Sequence, residues 1–172
     1  MLQLRPAEVE FMTTVTVDRC LDQLNSLLRG EISAAETYEQ AIRKVGDEHA
    51  SDATALRAIA QEHGEHARAL RDEIRRLGGE ADDSSGAWGA WAKTVEGTAK
   101  LFGDASALKA LKEGEEHGLK DYEKALEDVD ESARVLFMTR LLPDQRRHIA
   151  TLDGMIAKIE EGSGLRSGLH RP

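Results

Sequence analysis

Cysteine is almost absent: Cys20 stands alone, so no disulfide can form within the chain, and a reduced compartment is expected. The opening residues, MLQLRPAEVEFMTTVTV, lack the basic start and continuous apolar stretch of a secretory signal, which places the expected location in the cytoplasm. Positive charge is in short supply. With 23 Lys plus Arg against 32 Asp plus Glu the net charge is -9, which leaves little basic surface for phosphate and argues against nucleic acid as a partner. No apolar run approaches the length needed to cross a bilayer, the mean hydropathy is -0.48, and no membrane partner is expected. Neither a G-x-S-x-G elbow nor a phosphate loop nor a dinucleotide fingerprint occurs, so nucleophilic and nucleotide-dependent chemistry have no support. Aromatic residues make up 4% and prolines number three. What remains is rich in Ala, Leu, Glu, Lys and Arg, the composition of helices packed on helices.

At 172 residues the chain has the size of one domain. The spacing reads as an N-terminal arm over 1–16, a four-helix bundle over 17–160 and a flexible tail over 161–172. Leu24, Leu28, Ala35, Ile42 and Val45 form one inward stripe on a first helix that stops at Gly46-Asp47. A second helix returns beside it with Leu56, Ile59, Leu70, Ile74 and Leu77, closed by Gly78-Gly79. A long crossover follows, carrying Trp88, Trp91, Val95 and Phe102 near one face of a short helix. A third helix begins near Asp104 with Leu108, Leu111, Leu119 and Leu126. A fourth begins near Asp130 with Met138, Leu141, Leu152, Met155 and Ile159, and Pro143 should kink or restart it. The expected fold class is all-α, an antiparallel bundle of two hairpins joined by that crossover.

The two hairpins look duplicated. GEISAAETYEQA from Gly30 to Ala41 aligns with GEEHGLKDYEKA from Gly114 to Ala125, and the chain's two tyrosines, Tyr38 and Tyr122, fall on equivalent positions. EHGEHARAL from Glu62 aligns with DQRRHIATL from Asp144, setting His66 opposite His148 and His63 opposite Gln145. Extending each apolar stripe through its gaps puts Glu31, Glu115, the pair His63 and His66, and the pair Gln145 and His148 on inward faces. All four helices therefore turn polar at comparable depth, and those groups should meet in one layer.

Two buried carboxylates without partners would cost several kcal/mol each. A divalent cation such as Fe, Mn or Zn satisfies them directly, since carboxylate oxygen and imidazole nitrogen are its usual ligands. The candidate metal ligands are Glu31, His63, His66, Glu115 and His148. The alternative is a metal-free polar layer in which the glutamates accept hydrogen bonds from the histidines, from Tyr38 and Tyr122 and from trapped water.

At these residues the chain resembles the ferritin-like superfamily, and the first hairpin is most similar to the rubrerythrin type: Gly-Glu with a Tyr seven after the Glu, then a polar heptad ending in Glu-His-Ala. LRDEIRRLGGE, the SSGAWGAW crossover and EGEEHGLKDYEKAL resemble, across nearly all of residues 17 to 160, a narrower bacterial four-helix-bundle family, domain of unknown function 2383. The resemblance implies a ferritin-like bundle with a long connection between its hairpins and no assigned activity. Di-iron members take one Glu from the first helix of each hairpin and an E-x-x-H pair from the second. By that pattern Glu31 and Glu115 match the first-helix carboxylates and His66 and His148 the histidines, but His63 and Gln145 stand where the remaining glutamates belong. Glu62 and Asp144 are one residue away, about 100° round the helix. A ferroxidase or peroxidase-type centre loses two ligands this way, and one divalent ion suits the set better.

The expected role is accordingly metal or oxidative-stress handling, or else a non-catalytic stress or scaffolding bundle. His49, His117 and His170 read as surface residues, and Cys20 as a small buried hydrophobe. Trp88 and Trp91 are expected to seal one end of the core or to bury in a homodimer, which makes a homo-oligomer the expected state. The tandem SGLR and SGLH at the end resemble the docking peptides of ferritin-like cargo in encapsulin shells, with Gly before Leu where those peptides have Ser.

Overall fold

The computed structural model describes residues 6–43, 50–86 and 105–168. Among them there is no strand, and no helix is long and apolar enough to cross a membrane. Helix α1 spans Pro6–Ile42, α2 Ala50–Arg76, α3 Ser106–Ala125, α4 Glu131–Leu136, and α5 Leu142–Gly168; a π-turn, Phe137–Leu141, joins α4 to α5. Trp88, Trp91, Val95, Phe102, His49 and His170 lie outside the described residues.

Three limits differ from the sequence reading. The first helix starts at Pro6 rather than after residue 16. Proline is well placed there, because its fixed φ suits a helix start and its missing N–H would have no intrahelical partner. The β-branched run Thr13 to Val17 continues the helix because such residues disfavour it by only tenths of a kcal/mol each. At the other end the backbone stays helical through Gly168, where a flexible tail from 161 was expected. Extending an existing helix adds a hydrogen bond per residue without a new nucleation cost.

The third difference is in the fourth helix. Leu142 donates its N–H to the Phe137 carbonyl, five residues back, so one extra residue is taken into the turn just before Pro143, which has no N–H to give. The extra residue rotates the preceding segment. Phe137 is fully buried and Met138 is 57% exposed, the reverse of the inward position that an uninterrupted stripe assigns to Met138.

Cross-helix contacts fix the topology. Glu31 meets His63 and Asn25 meets Glu80, so α1 and α2 are antiparallel; Tyr38 meets Glu115 and Tyr122 meets Glu31, so α1 and α3 are antiparallel too. Lys109 pairs with Glu160 and Lys112 with Asp153 along α3 and α5, and Glu62 meets His148 while His66 meets Asp144 along α2 and α5. Every neighbouring pair is antiparallel, which makes α2 and α3 parallel. The chain must therefore travel back along the bundle between them.

Its first part does so beside α1. Gly78 takes a left-handed φ of 80° and ends α2, with the Gly79 N–H bonded to the Ile74 carbonyl at 3.0 Å. At Gly79 a Cβ would lie 2.5 Å from a Leu21 methyl, so a side chain there would make Leu21 shift. Beyond it the Asn25 side chain donates to the Glu80 carbonyl and accepts from the Asp82 N–H, both at 2.9 Å; Arg29 pairs with Asp82, and Ser85 donates to Glu36 at 2.9 Å. Five extended residues thus climb roughly the height that eleven helical ones do.

Two apolar clusters fill the bundle. One gathers Leu24, Leu28, Leu70, Ile74, Phe137 and Leu141, with Cys20 buried at its edge; the other gathers Leu56, Ile59, Leu108, Leu111 and Leu152. Between them all four long helices present polar side chains.

Candidate metal centre

Glu31, His63, His66, Glu115, Gln145 and His148 are all buried and form that intervening layer. The duplication read from the sequence is visible as crossed hydrogen bonds. Tyr38 of the first hairpin donates to Glu115 of the second at 2.5 Å, and Tyr122 of the second donates to Glu31 of the first at 2.6 Å. His66 Nε2 lies 3.0 Å from Asp144 and His148 Nε2 lies 2.6 Å from Glu62, again each across to the other hairpin. Each half of the layer is thus held by the other.

The symmetry breaks at one position. His63 sits between the carboxylates, with Nδ1 2.8 Å from Glu31 Oε2 and Nε2 3.0 Å from Glu115 Oε1. Its counterpart Gln145 donates only toward Glu115, to the carboxylate at 2.5 Å and to the backbone carbonyl at 3.0 Å. His148 Nδ1 is 3.3 Å from Glu115 Oε2. His66 Nδ1 is also 3.3 Å from Glu31 Oε2, near enough for attraction but not aligned for a hydrogen bond, and it has no other partner.

Burial is the largest influence on each of these ionisable groups, and their neighbours outweigh it. It would raise Glu31, but the charge and hydrogen bond of His63, with the nearby His66 ring, hold the carboxyl well below its ordinary range. Glu115 is held down to about 2, burial being opposed by His63 and His148. Burial would lower His63, and Glu115 and Glu31 together drive it well above its ordinary value; His66 is raised too, by Glu31 and Asp144 against burial. Burial and the adjoining carboxylates push both tyrosines upward, so they stay neutral donors. In this state a bridging imidazolium sits between two carboxylates.

The five residues read from the sequence as candidate ligands come together in two overlapping groups: Glu31, His63 and His66, and His63, Glu115 and His148, the ligand atoms of each within 4.8 Å of one another. Glu62, Asp144 and Arg147 were not singled out as part of the layer. Arg147 reaches Asp144 at 2.6 Å and Glu62 at 2.7 Å, and those two carboxylates hold the outer nitrogens of His66 and His148. The signal was there: in both repeats an acidic residue stands four before the histidine, one helical turn back on the same face.

Comparisons with known proteins agree with this architecture. The family model Domain of unknown function (DUF2383) matches residues 19–128, more than half of the chain. The protein belongs to the DUF2383 family. A solved structure of a ferritin-like, diiron-carboxylate protein from Bacillus anthracis str. Ames is similar over 85% of this chain and 96% of that one, at 22% identity and a TM-score of 0.58, which shows a shared ferritin-like fold. A search of curated proteins finds none that matches.

The residues of this DUF2383 chain do not fit a two-iron centre. Between the two halves, where bridging carboxylates would be needed, stand the His63 imidazole and the Gln145 amide, neither of which supplies the negative charge that two ferric ions require. They do fit one divalent ion. Carboxylate and imidazole donors converge, and His66 Nδ1 is a buried nitrogen without a hydrogen bond.

Proposed function

We propose that this protein holds a single divalent metal ion, Fe, Mn or Zn, in its core and serves in metal handling. The observation that carries the reading is His66 Nδ1, buried and without a hydrogen bond beside Glu31 and His63 while Asp144 holds the opposite nitrogen of the same ring. A ring pinned at one nitrogen presents the other, the arrangement that orients metal-binding histidines. Glu31, His63 and His66 would hold the ion, with Glu115 and His148 across the His63 ring supplying charge and further donors. When bound, such an ion supplies Lewis acidity and, for Fe or Mn, one-electron chemistry. The chain's own residues set the conditions: Tyr122 and Tyr38 fix the carboxylates, Glu62 and Asp144 fix the outer histidines, and the imidazole protons must leave as a metal arrives.

Metal analysis of untagged protein, purified after growth with Fe, Mn and Zn, tests this. The expected result is close to one metal ion per chain, lost in His66→Ala. Substoichiometric metal in the wild type, with metal content and melting temperature in added metal unchanged in His66→Ala and Glu115→Ala, overturns it.

A second reading has its own support. Every oxygen of the two central carboxylates already has a partner, Glu31 with Tyr122 and His63, Glu115 with Tyr38, His63, Gln145 and His148. A closed layer of this kind sets helix register in a scaffolding protein without any metal. Under that reading, apolar residues of matched volume in place of the layer leave or raise stability and leave cellular function intact.

A further inference from the structure

The layer has two flanks, and they are closed to different degrees. On the α2–α5 side Arg147 lies across the seam, bonded to both Glu62 and Asp144. On the α1–α3 side a cavity of about 100 Å³, room for several waters, runs from the buried Glu31 and Glu115 out to His117 and Asp121, whose side chains are 59% and 34% exposed. Its sides are equivalent residues of the repeat, Leu27 with Leu111, Gly30 with Gly114 and Ala34 with Gly118. The duplication thus places small residues face to face, and a Cβ built on Gly30 would meet nothing within 4 Å. Gln145 also lines this cavity, and its Oε1 is buried with no hydrogen-bond partner. An acceptor left in that state is costly unless something donates to it.

We propose that the α1–α3 cavity is the loading site through which a hydrated divalent cation reaches the layer; this rests on the metal reading above. At the inner end stand the Glu31 and Glu115 carboxylates, with the His63 ring between them, and the Gln145 amide; Asp121 carries negative charge at the outer end beside His117. An anion would meet two carboxylates there. On the opposite flank a cation would meet the Arg147 guanidinium, already engaged with both acids that could receive it. The charge pattern thus favours a cation entering between α1 and α3.

Stopped-flow absorbance of cobalt(II) added to metal-free, full-length protein reads loading rate and final content separately. Gly30→Met, which extends a side chain from an open position into the cavity, is expected to slow loading about tenfold while reaching the wild-type endpoint. Gly30→Ala should load near the wild-type rate, and Ala34→Met is a second plug that does not depend on one variant's folding. Wild-type loading rates in both methionine variants overturn the proposal, as does a reduced endpoint, which would show that the ligands themselves were disturbed. Faster loading in Arg147→Ala with no slowing in Gly30→Met moves the route to the other flank and likewise overturns it. Failure of the wild type to take up cobalt at any time removes the metal reading, and this proposal with it.

Discussion

The two halves of the polar layer descend from one pattern and differ at one decisive position. In the first, His63 reaches both central carboxylates; in the second, Gln145 reaches one, and its carbonyl oxygen is left without a partner. A glutamate at both positions would give four inward carboxylates, whose charge would have to be offset by protons or bound cations. A histidine at one and an amide at the other lower the negative charge and let a proton on His63 take the central place. The comparison shows how one position of a repeat, filled by an imidazole in one half and an amide in the other, decides whether a side chain links both central carboxylates or only one.

The strongest way to break the comparison is to remove a carboxylate from each half. Glu115→Ala strands His63, Tyr38, Gln145 and His148, whereas Glu31→Ala strands His63, His66 and Tyr122. Both should destabilise the fold by about 3–5 kcal/mol, Glu115→Ala the more, by urea titration monitored by circular dichroism. Equal losses would show that the two halves carry the same burden.

Next in size is a contrast between equivalent apolar positions. Leu56 is fully buried, and its repeat partner Met138 is turned outward by the π-turn. Leu56→Ala should cost about 2–5 kcal/mol by the same titration. Met138→Ala should stay within about 0.5 kcal/mol. A loss at Met138 similar to that at Leu56 would mean the fourth helix runs without its extra residue in solution.

A pH series sharpens the role of His63. Its folded value is raised above its ordinary 6.5, so its contribution to stability is fully present below that pH and is lost as pH climbs toward the folded value. Glu31 and Glu115 are lowered from 4.5, so their contribution is present above that pH and is lost as pH falls, for Glu115 toward about 2. The layer therefore contributes most between about 4.5 and 6.5. His63→Gln, which makes the first half like the second, should flatten the alkaline side of the melting-temperature profile. An unchanged alkaline slope in that variant would remove His63 from the proton balance.

The smallest expected contrast tests what the halves still share. Tyr38→Phe and Tyr122→Phe each remove one hydrogen bond to a charged carboxylate and should cost a similar amount, about 1.5–3 kcal/mol. The cost can be read from melting temperatures near neutral pH. One variant costing less than half as much as the other would show that the crossed tyrosines are not equivalent.

Much of this arrangement was legible in the residues themselves. The three-four spacing of Leu24, Leu28, Leu56, Ile59, Leu108 and Leu111 determines helices with one inward face, because periodicity is a local property of the chain. The repeat places Tyr38 with Tyr122 and Glu31 with Glu115 for the same reason. Tertiary structure decided the rest. Glu62 and Asp144 stand about 100° round their helices from His63 and Gln145, and only the closeness of α2 to α5 brings them into contact with His148 and His66. The fate of Met138 depended on where the extra residue before Pro143 was absorbed, a choice made by packing Phe137 into the core. Which nitrogen of His63 faces which carboxylate, and the space left between α1 and α3, follow from how two hairpins seat on one another. Side-chain spacing sets the face of a helix, but distances between faces exist only after the helices have packed.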